Sequence, residues 1–366
     1  MKRFYRAFIV IPALLACSCI QKEPLSQEAD IVSVELPGTE IKDDPIIRNE
    51  SIMMLVFKGL TDRGALAPEF TVSQGATIDP ASGTTRDFTS SQQYTVTSQD
   101  RKWSKTYTIS IIDADLPTEF DFENWERQGS KGKYENPYET PAGQSGEEIK
   151  MTVWSSGNAG YSIIQGEIPT DFPTCSSTDA YTGHLAAKLE TKLTGFDALP
   201  LAAGNLFLGS FDAASAMANP LGATHFGVPF GEKPLKITGY YKYEPGPSYT
   251  MRGKPMPEMT DACRIYAILY EKGDGIPLNG TSVENFDDPR IVAVADAGNP
   301  PPVGDYTKFD IDFDYDSYPG AFDNQKSKTY KYYLAVVFSS SYGGAEFNGA
   351  AGSTLFVDSV KIICEE

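Results

Sequence analysis

The sequence predicts an all-β protein of two units: an immunoglobulin-like sandwich over residues 29–113 and a larger jelly-roll β-sandwich over 120–366, joined by a linker at 114–119. Three observations predict it. No stretch carries a sustained apolar stripe of helical period. Short alternating runs recur instead between clusters of Gly, Pro, Asn and Asp, the pattern of an all-β chain. The 366 residues also exceed what one core ordinarily organises.

The chain opens on a processing signal. Lys2, Arg3 and Arg6 precede the apolar run "AFIVIPALLA", which is about half of the ~20 residues a membrane-spanning helix needs. "LLAC" followed by "SC" resembles a bacterial lipoprotein signal box. Residues 1–16 would then be removed and Cys17 would take the lipid, with Cys19 as the competing site; an ordinary secretory signal is the alternative. Residues 17–28 read as a polar tether. The resulting location is the outer membrane or cell surface, with a periplasm-facing anchor as the alternative.

The first unit begins with "IVSVELP", whose strict alternation would put Ile31, Ser33 and Glu35 on one face. "SIMMLVF" at 51–57 reads as a buried strand. "QYTVTSQDRKWSKTYTISII" at 93–112 is a hairpin, with Tyr94 and Val96 facing Tyr107, Ile109 and Ile111. Eighty-odd residues in this rhythm suit an immunoglobulin-like sandwich. Trp103, at the hairpin turn, reads as a cap on the sandwich end, an exposed and sticky ring being its other reading.

The second unit, some 250 residues with long loops, suits a jelly roll. Strands are expected at 182–191, 204–211, 234–243, 263–271, 307–315, 328–341 and 353–363. Loops at 243–261 and 295–305 are long enough to carry function. In "KITGYYKY", alternation puts Ile237, Gly239, Tyr241 and Tyr243 in the core and Thr238, Tyr240 and Lys242 outside. Tyr240 and Lys242 are therefore candidate ligand contacts. Trp154, before a Gly/Asn loop, is a third candidate, a core plug being its other reading; Trp125 reads as structural. "TKFDIDFDYD" puts Phe309, Ile311, Phe313 and Tyr315 inward and Asp310, Asp312, Asp314 and Asp316 on a solvated face.

The charge is −18 over the whole chain, and the three basic residues of the signal are unmatched by any acid there, so the mature chain is more acidic still. That excludes nucleic acid, whose phosphates demand basic surface, and leaves the membrane to be reached through the lipid alone. Three cysteines follow the lipoprotein box, Cys175, Cys263 and Cys364; an odd number excludes a complete disulfide framework and leaves room for one bridge, whose pair the sequence does not specify. His184 and His225 are the only histidines and read as hydrogen-bonded rather than metal-bound. A glycosidase needs two carboxylates at a defined spacing. Glu167, Glu190, Asp212, Asp261 and Glu271 are all candidates, and spacing selects no pair. No Gly-x-Ser-x-Gly elbow is present.

Three ordered blocks carry a resemblance. "AAGNLFLGSFD" (202–212) and "HFGVPFGEKPLKITGYYKYEPG" (225–246), with "FDFENWE" before them and "STLFVDSVKI" after, resemble the putative carbohydrate metabolism domain family of Bacteroidetes over roughly 120–366. The sequence departs from that pattern at "FGVPFGEKP", where a basic residue more usually precedes the first proline. "GATIDPASG" and the hairpin are similar to immunoglobulin-like spacers of Bacteroidetes surface lipoproteins. The resemblance implies a jelly roll, a surface lipoprotein and an association with glycan use, with no catalytic residues to carry over. "FDFENWE" and "FVDSVKI" also resemble the paired first and last strands that grip a structural Ca2+ in many carbohydrate-binding jelly rolls. That likeness implies Glu123 and Asp358 as ligands, with Asp121 outside them. The expected function is non-catalytic binding of a polysaccharide or oligosaccharide. A glycoside hydrolase and an adhesin-like structural protein are the alternatives.

Overall fold

The computed structural model describes residues 25–39, 41, 45–48, 50–56, 62–113, 115–128, 133–140, 151–165, 171–213, 216, 218–273 and 277–365. Cys17, Cys19 and Glu167 lie outside the described residues. No described helix is long and apolar enough to cross a membrane.

The first unit contains β1 (Ile31–Glu35), β2 (Ile46–Arg48), β3 (Ser51–Leu55), β4 (Glu69–Val72), β5 (Thr77–Asp79), β6 (Gln92–Thr97) and β7 (Ser104–Ile112). A sheet of order β2-β3-β7-β6-β5 faces the pair β1-β4. Ile52, Met54, Phe70, Tyr94, Val96, Tyr107, Ile109 and Ile111 fill the space between, as alternation in the hairpin predicts. β1 departs from strict alternation. Its register shifts between Ile31 and Ser33, so Ile31 and Val34 enter the core and Ser33 and Glu35 do not. Trp103 is 60 % exposed and does not cap the sandwich.

The second unit adds β8 (Glu119–Phe120), the hairpin β9 (Trp125–Gln128) and β10 (Tyr134–Pro137), β11 (Trp154–Ser155), helix α1 (Asn158–Ile164), β12 (Thr174–Ser177) and β13 (Ala186–Glu190). The hairpin β14 (Lys192–Leu193) and β15 (Leu201–Ala202) follows, then β16 (Asn205–Phe211), β17 (Thr224–Phe226), β18 (Val228–Phe230) and β19 (Pro234–Glu244). After β20 (Tyr249–Met251) and β21 (Lys254–Pro255) come β22 (Arg264–Glu271), β23 (Ile291–Asp296) and β24 (Val303–Asp312). Helix α2 (Asn324–Lys328), β25 (Tyr332–Ser339), β26 (Asn348–Ala350) and β27 (Thr354–Cys364) complete the chain.

Two antiparallel sheets stack as a jelly-roll sandwich. The front sheet runs β12-β13-β27-β19-β24, with β8 on β27; the back sheet runs β11-β16-β25-β22-β23. Alternate residues of both fill the layer between: Ile237, Tyr241, Tyr243, Leu355 and Val357 from the front, Leu206, Leu208, Ile265, Leu269, Val336 and Phe338 from the back. The other face of the back sheet is also apolar. Phe207, Tyr266, Ile268, Tyr270, Tyr333 and Val337 form a second layer there, roofed in part by Leu278 and Val283. A sheet covered on both faces has no alternation of polar and apolar residues, which is why β22 and β25 read as continuous apolar runs.

Neither short helix was legible as an amphipathic stripe. α1 is held by side-chain amides instead: Asn158 is buried, donates to the Thr174 carbonyl at 2.7 Å and accepts from Thr174 N–H at 3.1 Å. Gly157 N–H donates to Asn205 Oδ1 at 2.7 Å. Cys175, Cys263 and Cys364 are all free thiols.

Candidate functional site

A cleft of about 460 Å3 opens on the outer face of the back sheet. Its floor is made by outward residues of three adjacent strands, Asn205 and Phe207 of β16, Val337 and Ser339 of β25, and Arg264 and Tyr266 of β22. The walls are α1, bearing Tyr161 and Ile164, the turn at 280–285 and the segment 342–348. Tyr249, which opens β20 in the segment 243–261 expected as a long loop, also lines it, so one of the two segments expected to carry function reaches the cleft. The other places the Pro301 carbonyl on the Tyr241 hydroxyl at 3.1 Å.

Arg264 is the central polar group. Its guanidinium carbon lies 4.7 Å from the ring centroid of Tyr266, 5.0 Å from that of Phe286 and 4.8 Å from that of Tyr342. These are cation–π distances. Phe286, whose ring packs on Arg264, sits at φ 54°, and Phe347, a wall residue, at φ 63°. Left-handed backbone in a bulky residue costs on the order of 1–3 kcal/mol and is kept where the surroundings enforce it.

The 342–348 wall is anchored from beneath. Asp261 is buried, and its Oδ2 accepts from Ser341 Oγ at 2.6 Å, Ser353 Oγ at 2.7 Å and Ala350 N–H at 2.8 Å. Oδ1 accepts from Ala262 N–H at 2.9 Å. Tyr342 N–H donates to the Ala262 carbonyl at 2.6 Å. Burial raises the Asp261 carboxyl above the ordinary range, and the hydroxyl and amide donors oppose that shift.

Most residues named from the sequence sit elsewhere. Tyr240 and Lys242 do face outward on the front sheet while Ile237, Tyr241 and Tyr243 are buried, as alternation predicts; Thr238, expected outside with them, is buried. One face of Tyr240 is stacked on Tyr181 at 3.6 Å, and Lys242 pairs with Asp179 and lies 4.8 Å from the rings of both Tyr306 and Phe356. Trp154 corrects its assignment as a ligand contact. It is fully buried against Phe120, Phe122 and Phe338, and its indole N–H donates to Glu139 at 2.8 Å. Trp125 packs against the core and bonds the Phe122 carbonyl. Phe309 and Phe313 are buried, Ile311 and Tyr315 pack against the core and all four aspartates are exposed, as alternation predicts, although β24 itself ends at Asp312. Asp310 bonds Lys236 and Lys308, and Asp314 caps the turn at Asp316 and Ser317.

The carboxylates offered for catalysis scatter too. Glu190 pairs with Lys188 and Lys192, Glu271 with Lys326, and neither they nor Asp212 nor Asp261 lines the cleft. Glu284 and Glu346 do line it. Both were missed, as were Arg264 and Tyr342. The available signal was "CRIYAILYE", where a lone Arg begins a strand whose alternate positions are Tyr266 and Tyr270.

Glu123, Asp358 and Asp121 each accept backbone N–H groups. Glu123 Oε1 accepts the N–H groups of His184 and Leu185 at 2.7 and 3.0 Å, and Asp358 Oδ2 those of Tyr181 and Thr182 at 2.7 and 3.0 Å. Asp121 accepts from Glu123 N–H. Backbone amides thus take one oxygen of each carboxylate, and among the described residues no group of three His, Cys, Asp or Glu side chains converges. These carboxylates instead clamp the 181–185 turn. Gly183 stands at φ +68°, and a Cβ there would lie 2.1 Å from Glu123 Oε1. Gly183→Ala should therefore cost about 2–3 kcal/mol through strain and loss of the clamp, read as a lower urea midpoint. An unchanged midpoint would show that the clamp is not needed.

The comparisons agree with this architecture. The family described as "putative carbohydrate metabolism domain" matches residues 121–363, and the one described as "SGBP, N-terminal" matches 31–111. A crystal structure named a putative glycoside hydrolase from Bacteroides thetaiotaomicron VPI-5482 is 43% identical, covers 94% of this chain and 99% of its own, and superposes with a TM-score of 0.83. Another of that name, from Bacteroides vulgatus ATCC 8482, is 37% identical over 69% of this chain and 100% of its own, with a TM-score of 0.63. No curated protein matches. The match at 121–363 takes in both sheets of the sandwich and every residue lining the cleft, and the chain belongs to the putative carbohydrate metabolism domain family of Bacteroidetes.

Proposed function

We propose that the protein binds a glycan in the back-sheet cleft without cleaving it, as a lipid-anchored capture protein held off the envelope by its N-terminal unit. The carrying observation is the cleft itself. Aromatic rings supply flat apolar surface for sugar C–H faces, and Asn205, Arg264, Glu284 and Asn285 supply donors and acceptors for hydroxyls around one cavity. The family's carbohydrate association and the matched N-terminal module support the same reading.

Hydrolysis is the second reading. The two solved relatives are named putative glycoside hydrolases, and Glu284 and Glu346 give the cleft two carboxylates. One experiment separates the readings: retention on a glycan panel and release of reducing ends, measured in the same wells. Binding without release is expected. Tyr342, 46 % exposed at the mouth, is the variant to make, and Tyr342→Ala should weaken retention about tenfold with the fold intact. Release that disappears in Glu284→Gln or Glu346→Gln would overturn binding alone.

A further inference from the structure

We infer that the cleft selects an acidic glycan by seating a sugar oxyanion, foremost a uronic acid carboxylate, on Arg264; this rests on the cleft being the glycan site. Among the described residues Arg264 is a cation without a counter-ion. Among the described residues it makes no ion pair and no hydrogen bond, and its Nε is buried without a partner. Other arginines of this acidic chain are satisfied: Arg63 pairs with Asp113, Arg290 with Asp288, and Arg86 bonds the Gln93 carbonyl.

The three rings around Arg264 explain how an unpaired guanidinium is tolerated and what it lacks. Ring faces attract the delocalised charge but accept poorly from the N–H groups in the guanidinium plane. Those donors suit a planar carboxylate, which takes two at once, and a charge-assisted bond is roughly twice as strong as one to a neutral hydroxyl. The rings also fix the fork, so little rotamer freedom is left to lose on binding. The strained backbone at Phe286 serves this same placement, since its ring is one of the three.

Glu284 and Glu346 set a limit. Neither forms an ion pair with Arg264, and Glu346 accepts from Asn348 Nδ2 at 3.1 Å, so no described carboxylate pairs with the guanidinium. Their charges disfavour further anionic groups elsewhere in the cleft. The fitting ligand therefore carries isolated acidic sugars between neutral ones rather than an unbroken polyanion.

The test titrates the mature chain calorimetrically with a hexasaccharide alternating glucuronic acid with a neutral sugar, with its carboxyl-reduced form, and with that reduced form carrying sulfate esters. The acidic hexasaccharide should bind at least about tenfold tighter than the reduced one, and more weakly as salt rises. Arg264→Met should abolish the difference; Arg264→Lys, which keeps the charge and loses the fork, should retain only part of it. Binding of the sulfated form alone would support the oxyanion site and name sulfate as the source. Equal affinity for acidic and reduced forms, or binding of neutral glycans only, would overturn the acidic preference and leave the cleft reading standing if Tyr342→Ala still weakens it. No binding by any glycan would overturn both.

Discussion

Asp261→Ala should destabilise the second unit by about 3–5 kcal/mol and abolish binding in the cleft. The carboxylate collects four donors: the Ser341 and Ser353 hydroxyls and the amides of Ala350 and Ala262. Removing it leaves those donors buried. Ser341 can turn to Thr191 Oγ1, already 2.6 Å away, but a backbone amide such as Ala350 N–H cannot reorient. Asp261→Asn is nearly as informative. An amide group has one acceptor and one donor end, so either orientation sets NH2 against an existing donor. Its expected cost is smaller, about 2–3 kcal/mol. The consequence for the cleft follows from geometry, because Ser341 and Ala350 bracket the wall that carries Tyr342, Glu346 and Asn348. Denaturant unfolding gives the stability. Amide exchange at 342–350 gives the wall, and it should quicken even under conditions where the variant stays folded. Normal exchange there, with normal binding, would show that Asp261 does not hold the wall.

How far the sequence revealed this arrangement depends on which physical level set it. Face assignment along a strand is local, so "KITGYYKY" gave its buried and exposed tyrosines correctly, and the hairpin of the first unit likewise. Where an extra residue enters a ladder, as between Ile31 and Ser33, alternation misassigns the face because the shift is decided by pairing with β4. Trp154 shows a different limit. A plug and a platform have the same local sequence, and only the convergence of Phe120, Phe122 and Phe338 from distant segments buries it. The cleft lies at the same level. Its floor comes from three strands that are adjacent only after the sheet forms, and its walls from segments about 180 residues apart. Glu123 and Asp358 were rightly placed near one another by the pairing of chain ends. What they hold could not be read, since backbone amides of a turn have no sequence signature.

Glu139→Gln should make the protein more stable than its parent at pH 8 and no different near pH 4. Glu139 is buried, and burial pushes its carboxyl up to about 7; the Trp154 N–H opposes that shift and the charge of Asp121 adds to it. In the unfolded chain the same group titrates near 4.5. Between those values the folded protein keeps a proton that the unfolded chain releases. Stability therefore falls as pH rises through this window, and the contribution is lost above about 7. The shift is worth on the order of 3 kcal/mol once complete. Glutamine retains an oxygen for the Trp154 N–H, now at 2.8 Å, and has no proton to lose. Subtracting the unfolding free energies of parent and variant at each pH removes every other titrating group that the two share. The difference should rise from near zero at pH 4 to its plateau above pH 7. A flat difference would mean that Glu139 ionises in the folded protein as freely as in the unfolded one. The buried Trp154 contact would then have to accommodate a carboxylate at neutral pH, which the apolar rings around it make costly.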